Sequence, residues 1–355
     1  MGETLHRVLT LVLSGMAGGL LSLSSPDPAQ AQPARNPAPR LRLELVLPTD
    51  TDVFFGGVAD ADFLPDGSIV VLDPLNRTIY RFGANGSFLD SLGRSGRGPG
   101  ELQQPVDLEV GPQGEIAVAD GANGRLMVWG VDRKVATIPI RGWPAGMWWR
   151  RSGLFVKLAG VGPLYKRVFF HKVSASLDAL GEPIATLTFD RDARTLLTRG
   201  LSCDLCPTAI TPSGGLLLAD PDPVAYKVVE ADYTGKVTRI WERAGLPPVP
   251  FSELELSQIR ENLRKVGQRF ESEMFRYRPR LAALSMDVEG RLWVLRRTTD
   301  PEPIRLDVFD GDQTLLAEIP LPRGMRKFVV RGAQLLALGE SPAGEPVVHV
   351  YRILQ

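Results

Sequence analysis

The feature that most constrains this chain is a short unit that it repeats. The unit is complete between Gly93 and Trp129. Apolar and polar residues alternate there through Val106-Asp107-Leu108-Glu109-Val110, break at Gly111-Pro112-Gln113-Gly114, and resume over residues 116–119. A second break at residues 120–124 precedes a third apolar run, Leu126-Met127-Val128-Trp129. Side chains of a strand alternate between its two faces, so period-two runs bounded by Gly, Pro, Asn and Asp predict short antiparallel strands joined by tight turns. Six copies occur, each anchored on an x-Gly turn between the first two strands: Asp66-Gly67, Gln113-Gly114, Ser152-Gly153, Ser213-Gly214, Glu289-Gly290 and Arg331-Gly332. An apolar run follows each turn, from residues 69–72 in the first copy to 335–338 in the last. Four short strands recurring at roughly 40 residues are the mark of a propeller blade. The predicted class is all-β, a six-bladed β-propeller filling residues 41–355.

The sixth copy is one strand short, with runs at 327–330, 334–338 and 347–353, while the alternating segment 41–47 belongs to no copy. Pairing that segment as the outer strand of the sixth blade closes the ring and removes the edges an open array would expose. The anchor glycines are 47, 39, 61, 76 and 42 residues apart, so extra chain enters between copies three and four and between four and five. Both insertions fall between an outer strand and the next inner strand. In a propeller these connectors share one face with the loops joining second and third strands, and loops on a rigid scaffold carry function.

The string Pro105-Val106-Asp107-Leu108, with Ala119-Asp120, Asn123, Arg125 and Val128, resembles the NHL-repeat pattern. The lead-in from Gly93 to Leu102 is similar to a connector of bacterial six-bladed propeller proteins of unassigned function. The match is close in the first two copies and loose thereafter. The resemblance implies a six-bladed propeller and little about chemistry, because the architecture hosts many functions.

Residues 1–31 read as a cleaved export signal, with an uncleaved anchor as the alternative: His6 and Arg7, an apolar run over 8–23 interrupted by glycines, then Ala29-Gln30-Ala31 before a cleavage site. A proline-bearing arm at 32–40 follows, and a periplasmic or secreted location is expected. With 41 basic and 41 acidic residues, no global field steers the chain to nucleic acid. The larger insertion predicts a helix within about 250–278. Ser252 and Glu255 form a capping box, and Leu256, Ile259, Leu263, Val266 and Phe270 share one face. That helix either packs on the propeller or acts as a lid or docking element. Cys203 and Cys206 are the only cysteines. In an exported protein they suit a short disulfide, with free thiols, a redox pair and a metal pair weighed beside it.

Candidate ligand-binding residues gather at one mouth: Arg94, Arg97 and Glu101 in the glycine-rich connector, with Asp107, Asp120, Asn123 and Arg125 in the second copy. An arginine fork suits a carboxylate or phosphate. The plainer role for the aspartates and for Arg125 is to hold turns and neighbouring chain. Asp60, Asp62 and Asp107 on inner strands are candidate ligands for calcium, which takes oxygen donors. No nucleophile constellation is present. The expected function is therefore non-catalytic binding of a protein, peptide or small anionic ligand. The alternative is a calcium-type hydrolase or lyase of the gluconolactonase-like six-bladed class.

Overall fold

The computed structural model describes residues 37–49, 53–160, 167–188, 207–220, 222–265 and 276–355. The expected export segment, most of the arm, and Cys203 and Cys206 lie outside these residues.

The described residues form twenty-four strands and one helix in chain order. The first strand is β1 (Arg40–Leu47). Blade 1 comprises β2 (Asp60–Phe63), β3 (Ile69–Asp73), β4 (Thr78–Phe82) and β5 (Phe88–Leu92). Blade 2 comprises β6 (Pro105–Val110), β7 (Ile116–Asp120), β8 (Arg125–Trp129) and β9 (Val135–Pro139). Blade 3 comprises β10 (Trp143–Arg150), β11 (Gly153–Ala159), β12 (Arg167–Val173) and β13 (Leu180–Thr188). Blade 4 comprises β14 (Thr208–Ile210), β15 (Leu216–Ala219), β16 (Lys227–Ala231) and β17 (Val237–Glu242). Helix α1 (Glu253–Lys265) precedes blade 5, which is β18 (Leu281–Met286), β19 (Leu292–Arg296), β20 (Ile304–Phe309) and β21 (Leu315–Leu321). The last strands are β22 (Met325–Arg331), β23 (Gln334–Glu340) and β24 (Pro346–Leu354).

Each blade is a four-stranded antiparallel sheet, and the sixth has the order β1-β24-β23-β22. The two ends of the described chain therefore share one sheet, with Leu41 opposite Ile353 and Leu47 opposite Val348. The six anchor glycines all have positive φ, from 55° at Gly332 to 128° at Gly153. A side chain resists that conformation, which is why the turn between the first two strands carries glycine in every copy.

Blade stacking explains why the second strands read as unbroken apolar runs. β3, β7, β15 and β19 are buried at every position, because each has a neighbouring blade on both sides. Alternation then divides one strand between two cores. Ile69 and Val71 pack toward blade 6 with Leu47 and Val348, while Val70 and Leu72 pack toward blade 2 with Leu108 and Val118. The described residues form six such cores, one between each pair of neighbouring blades. Outer strands such as β5 and β17 are largely exposed, matching their more polar sequences.

Helix α1 starts at the predicted capping box. The Ser252 backbone N–H donates to Glu255 Oε2 at 2.9 Å, and the Glu255 N–H donates back to Ser252 Oγ at 3.3 Å. Leu263 is buried and Leu256 and Ile259 are half-buried, so the predicted stripe faces protein; Val266 and Phe270 lie outside the described residues. The base of the insertion is tied to the propeller. Glu255 pairs with Arg278, the Arg278 N–H donates to Val249 O at 2.7 Å, and Arg280 donates to Val224 O and Leu246 O. Among the described residues no helix is long and apolar enough to cross a membrane.

Candidate functional site

Two regions gather polar side chains: the loops on one face of blades 1–3, and the axis. The loops are built first by carboxylates that bind backbone. Asp73 ends β3 and accepts the N–H groups of Gly56, Leu75 and Asn76 at 2.7, 3.0 and 2.9 Å. Asp120 ends β7 and repeats the device, accepting the N–H groups of Gln103 and Gln104 at 3.2 and 2.8 Å. Each is wholly buried. An unmet buried amide costs about 1–3 kcal/mol, and these carboxylates remove that cost where connectors enter the inner strands.

The glycine-rich connector at 93–104 is gripped from both sides. Arg125 donates to Arg97 O, Gly98 O and Glu101 O at 2.8, 2.9 and 2.7 Å, and Asn123 donates to Gly96 O at 3.1 Å. From blade 1, Arg77 donates to Gln103 O at 3.1 Å and Ser95 Oγ at 2.8 Å. Glu101 accepts the Gly98 N–H at 2.8 Å and pairs with Arg94 at 3.0 Å. The Gly98 amide, and then Arg94, hold its carboxyl below the usual glutamate range. Five of the seven sequence candidates, Arg94, Glu101, Asp120, Asn123 and Arg125, are thus hydrogen-bonded or ion-paired to one another or to this connector. The sixth, Arg97, projects outward. The seventh, Asp107, belongs to the axis. The plainer reading holds for Asp120, Asn123 and Arg125, which hold chain in place.

Arg125→Met is expected to cost about 1–3 kcal/mol, because three carbonyls lose a charged donor. Hydrogen exchange should rise selectively over residues 94–102; unchanged protection there would show that Arg125 does not hold the loop.

Exposed on the same face are groups the sequence gave no cue to find. Phe54 and Leu75 are 75% and 71% exposed, and Trp143 is 36% exposed. They are joined through the loops: Asn76 donates to Phe54 O at 3.2 Å, and the Trp143 ring lies so close on Gly121 that a Cβ there would meet it at 2.8 Å. Arg77, Arg94, Arg97 and Arg141 are also exposed.

At the axis, inner strands present an unpaired edge, and side chains of the preceding blade cap it. Asp60 and Asp62 accept the N–H groups of Leu108 and Val110 at 3.0 and 2.9 Å. Asp107 and Glu109 do the same for Met147 and Trp149 at 2.6 and 3.1 Å. Arg150 continues the sequence by donating to Ile210 O at 2.9 Å. Two cations from β22 cross to these acids. Lys327 lies 2.7 Å from Asp60 and 2.6 Å from Asp107, and Arg331 lies 2.7 Å from Asp62 and 2.9 Å from Glu109. Both keep about a third of their side-chain surface open to the channel, 37% and 33%, while Asp60, Asp62 and Asp107 behind them are buried and Glu109 is half-buried.

Burial, with Asp107 alongside, raises the Asp60 carboxyl well above its ordinary range; burial likewise raises Glu109, against the pull of Arg331. Burial opposes the charge on Lys327, but Asp107 and Asp60 outweigh it and hold the ammonium above its usual range. These acids do reach the axis, yet they do not fit a calcium cage. Their oxygens are engaged by amides and two cations, and among the described residues no group of three or more His, Cys, Asp or Glu is arranged to hold a metal. Glu109, Lys327 and Arg331 were missed by sequence reading. Their cue was period-two spacing on inner strands: Asp60-x-Asp62, Asp107-x-Glu109 and Lys327 with Arg331.

A family model described as a 6-bladed beta-propeller matches residues 45–138, which is the end of β1 and blades 1 and 2. No curated protein matches the chain in sequence. Among solved structures, a candidate exported protein from Bacteroides fragilis is 13% identical with a TM-score of 0.51, covering 89% of this chain and 96% of that one. A candidate gluconolactonase is 12% identical with a TM-score of 0.51, covering 91% and 95%. Virginiamycin B lyase from Staphylococcus aureus is 11% identical with a TM-score of 0.46, covering 82% and 78%. At such identities the first two likenesses show the fold alone. Sheet order, six inter-blade cores and the family model on the first two blades agree: the protein is a six-bladed β-propeller.

Proposed function

We propose that this protein is an exported, non-catalytic binding propeller that recognises a protein or peptide at the face carrying the 93–104 connector. One observation carries the reading. On that face the carboxylates of blades 1 and 2 are spent on backbone amides, whereas arginine, aromatic and aliphatic side chains stand outward on a braced frame. Exposed apolar and basic groups spread over three blades make a footprint for a polymer better than for one small molecule, and Arg and aromatic residues dominate binding energy at interfaces. The enzyme alternative lacks such support, because the axial carboxylates already have partners. Export rests on the pattern of residues 1–31, and a short disulfide between Cys203 and Cys206 belongs with it.

The test is a phage-displayed library of random dodecapeptides panned against the protein. Enriched peptides should bind the double variant Phe54→Ser/Leu75→Ser at least about tenfold more weakly, an effect of ~1.4 kcal/mol. Peptides that bind this variant and Arg94→Ala/Arg97→Ala as tightly as the wild type would place recognition elsewhere.

A further inference from the structure

The loops of blades 1–3 are sorted by charge in a way that holding chain does not require. Five described segments make up this arc: 53–59, 73–78, 93–104, 120–125 and 140–143. Their acids are Asp73, Glu101 and Asp120. Asp73 and Asp120 are wholly buried against amides, and Glu101 is taken by the Gly98 N–H and Arg94. Of their arginines only Arg125 is turned inward; Arg77, Arg94, Arg97 and Arg141 are exposed. Arg77 and Arg94 have partners in the connector, whereas among the described residues Arg97 and Arg141 have no ion-pair partner for their guanidinium groups. The arc thus shows a partner a run of positive charge with no exposed acid among the described residues, on a protein whose formal net charge is +0.

The apolar members interleave with this charge. Phe54 and Leu75 lie beside Arg77, and Trp143 lies beside Arg141. Leu75 and Trp143 lie along neighbouring glycines. A Cβ at Gly56 would meet Leu75 Cβ at 3.0 Å, and Trp143 rests on Gly121. Apolar groups lying against their loops suit side chains laid across them, whereas insertion among lipid chains wants projecting tips.

From this arrangement we infer that the partner is an acidic peptide segment carrying aromatic or aliphatic side chains. The inference rests on the binding-face reading above and names the chemistry of what binds there. Guanidinium groups without an ion-pair partner among the described residues have no such pair to give up when they meet carboxylates, and the apolar residues supply the desolvated contact that rim charges by themselves lack.

Three labelled nonapeptides test it by fluorescence anisotropy: EEFEELEEF, its glutamine counterpart QQFQQLQQF and its lysine counterpart KKFKKLKKF. The acidic peptide should bind about tenfold or more tightly than the neutral one, with the lysine peptide weakest, since two or more exposed ion pairs each add up to about fivefold. High salt, and the double variant Arg97→Ala/Arg141→Ala, should each erase that preference. Both side chains are exposed and have no ion-pair partner among the described residues, so the variant keeps the wild-type melting temperature, and that measurement separates a lost site from a lost fold. Equal affinity for acidic and neutral peptides, both weakened by Phe54→Ser/Leu75→Ser, would overturn the acidic partner and leave the binding face standing. Acidic peptide bound with an affinity indifferent to both double variants would overturn both readings. Binding of phosphatidylglycerol vesicles or of a polyuronate, with no preference among the three peptides, would replace the peptide with a membrane or a polysaccharide and overturn the inference.

Discussion

Arg331→Met is expected to lower the free energy of unfolding by about 2–4 kcal/mol, in the lower part of the range for breaking a buried ion pair, because a third of the side chain meets channel water. The loss comes less from the missing attraction than from what is left behind. Asp62 would keep the N–H groups of Phe63 and Val110, and Glu109 that of Trp149, but both would lose their ion-pair partner, leaving only the more distant Arg150 to offset their charge. The triple variant Asp62→Asn/Glu109→Gln/Arg331→Met should therefore recover much of the loss. Its amide oxygens still accept the Val110 and Trp149 N–H groups, and the two unpaired carboxylate charges are gone. Urea unfolding of the three proteins decides it. A change below about 0.5 kcal/mol in Arg331→Met would mean the axial network does not clamp blade 6 to blades 1 and 2.

The network also fixes a pH dependence. Asp60, Glu109 and Lys327 all have folded-state pKa values above their ordinary ones, so the fold binds protons more tightly than the unfolded chain does. Stability from such groups is fully present below the unfolded pKa and is lost as pH rises through the folded one. For the two acids the decline begins near the ordinary carboxylate range, and for Lys327 it begins near 10.5. Lys327→Met should lessen the alkaline part of the decline, to which Tyr226 and Tyr233, also raised by burial, still contribute. A wild-type stability that rose from neutral to alkaline pH would contradict the sign.

The largest loss is expected from removing the closing strand. Deleting residues 1–48 takes away β1, bares the edge of β24 and opens the core between blades 6 and 1, where Leu47 is wholly buried with Val348, Phe55 and Phe82. A blade lacking its outer strand offers free N–H and C=O groups to other chains, so the product should be insoluble or unfolded at room temperature. A milder change, Leu47→Ala, should cost about 2–5 kcal/mol through the cavity it leaves. A deleted protein that stays monomeric with the wild-type melting temperature would show that closure contributes little.

Blades 1 and 2 were the most legible part of the chain, and they are where the family model matches. There the Asp, Asn and x-Gly positions serve backbone geometry that every copy needs, so chemistry and spacing coincide in the sequence. Blades 3–5 were readable only as turns and apolar runs. Their second strands need nothing more specific than burial on both sides. Tyr226, just ahead of β16, and Arg296, at the end of β19, are buried: Tyr226 lies in the core between blades 4 and 5, and Arg296 pairs with Asp307 at 2.8 Å. A loop residue's direction depends on the neighbouring blade, which local sequence does not contain.

The same distinction runs through the whole molecule. Alternation, turn glycines and the unclaimed strand at 41–47 determined six blades, their strand order and the sheet that joins the ends, because period, turn conformation and edge pairing are local or end-matching properties. Which acids meet which cations was decided only in three dimensions. Lys327 reaches Asp107 across 220 residues and Arg331 reaches Asp62 across 269. The reason is geometric: strands remote in sequence become neighbours only when the ring brings their inner edges to one axis, and ion pairing acts over a few ångströms of space however long the intervening chain.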